Sequence, residues 1–247
     1  MSVTHRILYV GIGGTGVHVG KEFELALRRD LCGPDGRTLI RKGGPFKSLK
    51  PYQLPEYIQS LYFDFDDDAE QILQKGTDLN VELLRNNSTV IKSIHANGAT
   101  SYRVAAEMLR ADKETSQLTK DWLPEKNNEP QVAPLSDGAG QYPTVGKAAL
   151  TLALKRSGNE LKAEIDRAIS KLVLAGGMLQ AVKNPAHKPK VLCYVGFSVA
   201  GGTGTGIFYD IIHLIENRLN NILDNVEIKI FPLALMPSAF IDNWKIQ

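Results

Sequence analysis

Ser198-Val199-Ala200-Gly201-Gly202-Thr203-Gly204-Thr205-Gly206 is the stretch of sequence around which the rest of the chain is organised. It follows an apolar run, 191–197, that predicts a buried strand, and it precedes another, 207–215, that predicts a helix. Glycines at such a junction let the backbone approach an anion closely, and a helix N-terminus adds partial positive charge. A flexible linker is the alternative, but a linker would not be flanked by two strongly apolar elements. The stretch therefore predicts a phosphate-binding loop, to which Thr203 and Thr205 add hydroxyl donors.

A second unit of strand, glycines and helix stands at the start of the chain. Residues 6–10 predict a strand, Gly11-Ile12-Gly13-Gly14-Thr15-Gly16 follows, and a helical pattern then continues to Gly33. Read alone, the glycines match Gly-x-Gly-x-x-Gly, the fingerprint of dinucleotide-binding folds. That fingerprint expects an acidic residue at the end of a second strand about 20 residues on, whereas Asp30 and Asp35 fall in a helix end and a turn. An NAD-dependent oxidoreductase is therefore kept as an alternative.

Two further segments indicate the same kind of site. The strand predicted at 60–65 runs into Asp64 and Asp66, and ligands of open parallel sheets bind beyond the carboxyl ends of strands, so these acids are placed to meet a ligand or its metal. The Pro- and Gly-rich loop 124–143 closes with Gly138-Ala139-Gly140, and Pro143 is suited to begin the next helix. Lys147, on the first turn of that helix, could face water or reach a phosphate.

The remaining pattern alternates strands with helices, which predicts an α/β fold. We expect three layers, with a mainly parallel sheet and helices on both faces. The other predicted strands are 38–40, 88–94 and 226–235, and the other predicted helices are 100–123, 144–156 and 159–183. The two elements that flank the first glycine segment are predicted to extend over 190–197 and 207–221.

The glycine segments, taken in order, resemble those of the tubulin/FtsZ superfamily, in a form like its divergent prokaryotic members. Residues 201–206 match the last six positions of Gly-Gly-Gly-Thr-Gly-(Ser/Thr)-Gly, and Ala200 replaces the first glycine. Residues 11–16 match Gly-x-Gly-Gly-x-Gly, although His18 stands near the place of a frequent asparagine. Residues 138–149 match Gly-Ala-Gly-x-x-Pro-x-x-Gly-(Arg/Lys)-x-Ala. Asp64-Phe65-Asp66 resembles the Asn-Thr-Asp element loosely.

The resemblance implies one tubulin/FtsZ-like domain over residues 1–247, with insertions at about 33–59 and 96–134. It implies GTP or GDP as ligand, Mg²⁺ arriving with the nucleotide, and a GTPase activity for the complete protein. It assigns nucleotide contact to Gly11, Gly13, Gly14, Thr15, Gly16, Asp64, Asp66, Gly138, Ala139, Gly140, Ala200, Gly201, Gly202, Thr203, Gly204, Thr205, Gly206 and Pro237.

The resemblance also implies head-to-tail self-association, because the family's catalytic acids lie on a loop of the neighbouring subunit. That loop follows the fifth strand, so we expect this chain to be the N-terminal part of a longer protein and to turn over GTP slowly by itself. A nucleotide-binding structural module without hydrolysis is a further alternative.

Composition fits an ordinary globular protein, with 43% apolar and 23% charged residues in 247. The formal net charge of +2 gives no indication of a nucleic-acid or membrane partner. Cys32 and Cys193 are far apart, so no disulfide framework is predicted, and Cys193 is expected to be a buried apolar residue. We therefore expect a cytoplasmic protein.

Overall fold

The computed structural model describes residues 5–66, 68–75, 81–95, 99, 101–175, 179, 190–223 and 226–240, and every structural statement below concerns these residues. They form a five-stranded sheet with the strand order β3-β2-β1-β4-β5, in which all neighbours are parallel. The α/β class with a parallel sheet is thereby confirmed. The strands are β1 (Arg6–Ile12), β2 (Ile58–Phe63), β3 (Ser88–Val90), β4 (Lys190–Ser198) and β5 (Glu227–Leu235).

Among the described helices, none combines the length and the apolar character needed to cross a membrane. Helices connect the strands of the sheet. They are α1 (Gly13–Cys32), α2 (Thr38–Lys42), α3 (Ala69–Gln74), α4 (Val81–Asn87), α5 (Tyr102–Ala111), α6 (Lys113–Thr119), α7 (Pro143–Leu174) and α8 (Gly202–Ile222).

The central strand β1 divides the core between the two faces of the sheet, because successive side chains of a strand point to opposite sides. Leu8, Val10 and Ile12 belong to the larger apolar core, which includes residues of α5, α7 and α8. Tyr9 belongs to a smaller cluster with Val17 of α1 and with Tyr62. β1 pairs with β2 on one side and β4 on the other, so three strands end side by side at one edge of the sheet.

The loop-rich segment after α1 differs from its prediction. Residues 38–40 were expected to form a strand and instead begin helix α2, in which Leu39 is buried against Leu31 and Phe46. Three apolar residues in a row are too few to show a period, so the sequence could not distinguish a strand from one helical turn.

Two further boundaries differ in the middle of the chain. The strand predicted at 88–94 ends at Val90, and residues 92–94 form a 3₁₀ turn. The helical region 100–123 divides at Asp112, whose carboxylate accepts the Thr115 N–H at 2.9 Å and caps α6. The two helices predicted at 144–156 and 159–183 follow one another in α7, and the non-helical backbone at Ser157 separates them at the predicted place. Residues 176–178 and 180–183 of that prediction lie outside the described residues.

Strand β5 borders the sheet, and much of it is exposed. Phe231 and Leu233 are 39% and 42% exposed, and the Phe231 ring stacks on Tyr194 with centroids 5.3 Å apart. Pro232 stands between these two side chains and is in register with Val195 of β4.

Candidate functional site

A cleft of about 260 Å³ lies at the carboxyl ends of β1, β2 and β4. The three glycine segments and both aspartates singled out from the sequence meet there. The residues that line it are Ile12, Gly13, Gly14, Thr15, Asp64, Asp66, Asp137, Gly138, Ala139, Gly140, Ser198, Gly201, Gly202, Thr203 and Gly204.

The first wall of the cleft is the N-terminus of α1. The helix begins at Gly13, directly after β1, so the predicted loop is mostly the first helical turn. Glycine's low helix propensity made the sequence look like a loop. Gly13 has φ +71°, which L-residues rarely adopt, and this allows the chain to turn from strand to helix without a connecting loop. No side chain caps this terminus, so its first N–H groups are available to a ligand.

The second wall combines the N-terminus of α8 with the loop before α7. Helix α8 begins at Gly202, so only residues 199–201 separate it from β4. The Gly202 N–H donates to the Gly140 carbonyl at 2.6 Å, and a Cβ at position 202 would lie 2.6 Å from the Ala139 carbonyl oxygen. Gly138 and Gly140 have φ of +87° and +57°, so the loop adopts a backbone that favours glycine.

Asp64 closes the base of the cleft, where it is 3% exposed. Burial raises the pKa of Asp64 to about 6, although the Phe65 and Asp66 backbone N–H groups and the Thr203 hydroxyl stabilise its charged form. The Phe65 N–H donates a hydrogen bond of 2.9 Å to Asp64 Oδ1. Since Asp64 directly follows β2 and Thr203 lies in the first turn of α8, this carboxyl group connects two of the segments that form the cleft.

The electrostatic character of the cleft is divided. The N-termini of α1 and α8 both border it and favour an anion there. Three carboxyl groups, those of Asp64, Asp66 and Asp137, also line it, and none of the described lining residues is lysine or arginine. A phosphate would therefore be held by backbone N–H groups, and a cation would be needed to offset the carboxylates. Within the described part of the chain, no three His, Cys, Asp or Glu side chains are grouped to hold a metal by themselves.

The remaining predicted contacts lie outside the cleft lining. Three glycines allow close packing instead: a Cβ at Gly11 would lie 2.5 Å from the Gly16 carbonyl oxygen, one at Gly16 equally close to the Gly196 carbonyl oxygen, and one at Gly206 would clash with the start of α7. They shape the glycine segments without lining the cleft.

Three other predicted contacts also lie outside the lining. The Thr205 hydroxyl donates to the Ser198 carbonyl at 3.3 Å, and the Ala200 N–H donates to the Ser198 hydroxyl at 3.1 Å. Pro237 is exposed in a 3₁₀ turn after β5. Contact of these three residues with a nucleotide stays a prediction.

Three lining residues were not among the predicted contacts, namely Ile12, Asp137 and Ser198. Each adjoins a glycine segment, so its position beside the predicted loops was the available signal. Lys147 was considered as a phosphate ligand, but its ammonium lies 5.4 Å from the centroid of the Trp122 ring, and Lys147 does not line the cleft. The Lys147 ammonium group thus makes a cation–π contact with Trp122.

Comparison with known proteins adds one positive finding. A family model described as "Tubulin like" matches residues 8–247 of the chain. A search of the curated proteins gave no significant match.

Proposed function

Because the chain belongs to the tubulin-like family, we propose that it binds a guanine nucleotide, GTP or GDP, with the phosphates in the cleft between α1, α8 and the loop 138–140. The observation that carries this proposal is the meeting of three glycine segments, distant in sequence, around one cleft of about 260 Å³. A lone glycine motif is weak evidence, whereas three that share a cavity are explained together by one polyphosphate ligand.

The phosphates are bound chiefly by the backbone. The first-turn N–H groups at Gly13, Gly14 and Thr15 and those at Thr203 and Gly204 are the donors, and two helix N-termini add their dipoles. Close packing behind these donors limits which residues can stand there. At Gly204, for example, a Cβ would lie 2.6 Å from the Ser198 carbonyl oxygen.

Mg²⁺ enters the site with the nucleotide. Asp66 and Asp64 are the groups that would face it, because both carboxylates line the cleft and carboxylate oxygens suit this ion. When bound, the ion would neutralise phosphate charge that the carboxylates otherwise repel.

Hydrolysis and assembly follow from the family resemblance. We infer that GTP is hydrolysed when a second subunit supplies groups that position water, and that the chains associate head to tail. Such a division of the site between subunits couples hydrolysis to assembly, because a site completed from outside is inactive in the isolated chain. A nucleotide-binding module that assembles without hydrolysis would share the cleft and differ only in this step.

The experiment that tests the proposal measures which nucleotide the purified protein carries and binds. We expect GTP or GDP in the chromatogram of the acid extract, and calorimetric binding of both in the presence of Mg²⁺. The Gly204→Val variant should bind at least tenfold more weakly because of the contact with Ser198. Gly158→Val is the matched control, since a Cβ at Gly158 meets nothing within 4 Å. Binding of NAD with no binding of GTP, or an unchanged GTP affinity in folded Gly204→Val, would contradict the proposal.

A further inference from the structure

Tyr9 lies directly beneath the phosphate-facing end of α1. It is 2% exposed, and its hydroxyl donates a hydrogen bond of 2.9 Å to the carbonyl of Gly16 in the first turns of that helix. Tyr9 belongs to β1, so this bond connects the central strand of the sheet to α1, the helix that follows it in the chain.

The ring is held in one position by residues that lack side chains. A Cβ at Gly196 of β4 would clash with the Tyr9 hydroxyl, and a Cβ at Gly20 of α1 would clash with the Tyr9 ring. A Cβ at Gly16 would lie 2.5 Å from the Gly196 carbonyl oxygen. The first turns of α1 therefore press against the backbone of β1 and β4, and the phenol fills the space beside them.

The hydroxyl remains protonated and can only act as a fixed donor towards Gly16. Burial and the nearby Glu24 carboxylate both raise the pKa of the Tyr9 phenol. The neighbouring Tyr62, whose ring centroid is 6.1 Å away, directs its own hydroxyl to the Glu24 carboxylate at 2.8 Å instead. Of these two buried tyrosines, Tyr9 is the one bonded to the backbone of the α1 N-terminus.

We propose that Tyr9 is a positioning residue for the cleft: its bond to Gly16 fixes the first turn of α1 against the sheet, and so holds the N–H groups at Gly13, Gly14 and Thr15 in the orientation that binds phosphate. This inference rests on the proposed nucleotide binding and adds a determinant of affinity that does not touch the ligand. Donors fixed before binding need no ordering when the phosphate arrives, which increases affinity.

The test compares Tyr9→Phe with Tyr62→Phe, because both remove one buried hydroxyl from the same layer. Hydrogen exchange is measured at residues 17–20, whose amides close the first turns of α1, in nucleotide-free protein. We expect exchange there to be about 3- to 10-fold faster in Tyr9→Phe only, since one ordinary hydrogen bond corresponds to a factor of this size. GTP affinity should fall by a similar factor in Tyr9→Phe and stay near the wild-type value in Tyr62→Phe, whatever the change in melting temperature.

The two proposals fail in different ways. Equal exchange at residues 17–20 in the two variants, or an unchanged GTP affinity in Tyr9→Phe, would overturn the role of Tyr9. Absence of GTP binding by the wild-type protein would overturn the proposed function. The exchange comparison would still show whether the Tyr9–Gly16 hydrogen bond, the tether, fixes the first turn of α1. Should Tyr9→Phe not fold, NMR of the wild-type protein with labelled tyrosine decides: a slowly exchanging Tyr9 hydroxyl proton supports the tether, and a rapidly exchanging one contradicts it.

Discussion

The Gly202 amide and the Gly140 carbonyl are joined by a hydrogen bond of 2.6 Å, which binds the start of α8 to the loop before α7. The two glycines come from separate sequence motifs, and both line the cleft. The cleft is therefore formed by contacts between its walls, and its shape depends on how closely the two backbones approach.

Gly202→Ala should disturb this contact. The added methyl group would lie 2.6 Å from the Ala139 carbonyl oxygen and 2.7 Å from the Tyr142 nitrogen, both rigid backbone atoms. Overpacking of this kind costs about 1–3 kcal/mol of folding free energy. We expect a loss of that size in urea denaturation and a GTP affinity at least tenfold weaker. Gly158→Ala is the control, because its methyl group meets open space, and it should keep the wild-type affinity. An affinity of Gly202→Ala equal to that of Gly158→Ala and the wild type would contradict the prediction.

Asp64 should make the stability of the nucleotide-free protein fall as pH rises from about 4 to 6. Its pKa is about 6 in the folded chain and ordinarily 3.8, so between these values the folded state binds more protons than the unfolded state. The difference of about 2 corresponds to about 3 kcal/mol, present below pH 3.8 and lost above pH 6. Asp64→Asn should remove this fall and be more stable than wild type at pH 8 by up to that amount.

Urea denaturation of both proteins at several pH values measures the effect. Asp137→Asn, which alters an exposed carboxylate of the same cleft, keeps Asp64 and should therefore keep the fall between pH 4 and 6. Parallel pH profiles of wild type and Asp64→Asn would show that Asp64 is not responsible.

Mg²⁺ should strengthen GTP binding while binding weakly by itself. The carboxylates of the cleft repel phosphate, and no cationic side chain among the described lining residues offsets them. Removal of Mg²⁺ by EDTA should weaken GTP binding at least tenfold in calorimetry. In Asp66→Asn, the ratio of the GTP affinity with Mg²⁺ to that with EDTA should be smaller. A high-affinity Mg²⁺ site in the nucleotide-free protein would be inconsistent with this expectation.

Glu24→Ala should be strongly destabilising. The Glu24 carboxylate accepts hydrogen bonds from Tyr62 at 2.8 Å and Ser88 at 2.7 Å, and lies 3.5 Å from the Arg28 guanidinium. Because the Arg28 side chain is only 2% exposed, the variant would leave a buried cation without its carboxylate, at a cost of about 3–5 kcal/mol. Chemical denaturation measures this loss. Glu22→Ala, an exposed position of the same helix, should change stability by about 0.5 kcal/mol or less.

GTP hydrolysis should be slow at low protein concentration and rise more than linearly with concentration, because the proposed function requires two subunits for each complete site. Phosphate release measured across a concentration series, for this chain and for any longer form of the protein, tests this. Rapid turnover that is independent of concentration in the 247-residue chain would mean that one subunit holds a complete active site.

Local sequence patterns predicted the parallel sheet and the segments that meet at the cleft, because buried strands and glycine junctions leave short-range signals. Glycines at 13 and 202 were interpreted as loop residues although they begin helices. Glycine stands at such positions because the backbones come into close contact, as between Gly202 and Gly140, and helix propensity does not encode such contacts.

The partners of buried polar groups could not be predicted. Glu24 and Arg28 sit four residues apart in a helical pattern, where charged residues ordinarily face water. Their burial depends on residues brought from β2 and β3, including Tyr62 and Ser88. The contact of Lys147 with Trp122 likewise joins segments whose packing only the folded chain reveals.

The proline in β5 bears on how the protein avoids aggregation. An open sheet edge can pair with a strand of another molecule, and the exposed Phe231 and Leu233 would add apolar attraction to that pairing. Pro232 lies between them and has no N–H group to offer an incoming strand. Prolines within sheets are largely confined to edge strands, where the missing N–H can face solvent, and Pro232 keeps its register with Val195 of β4. Among the described residues, Pro232 thus removes one donor from the apolar strand that borders the sheet.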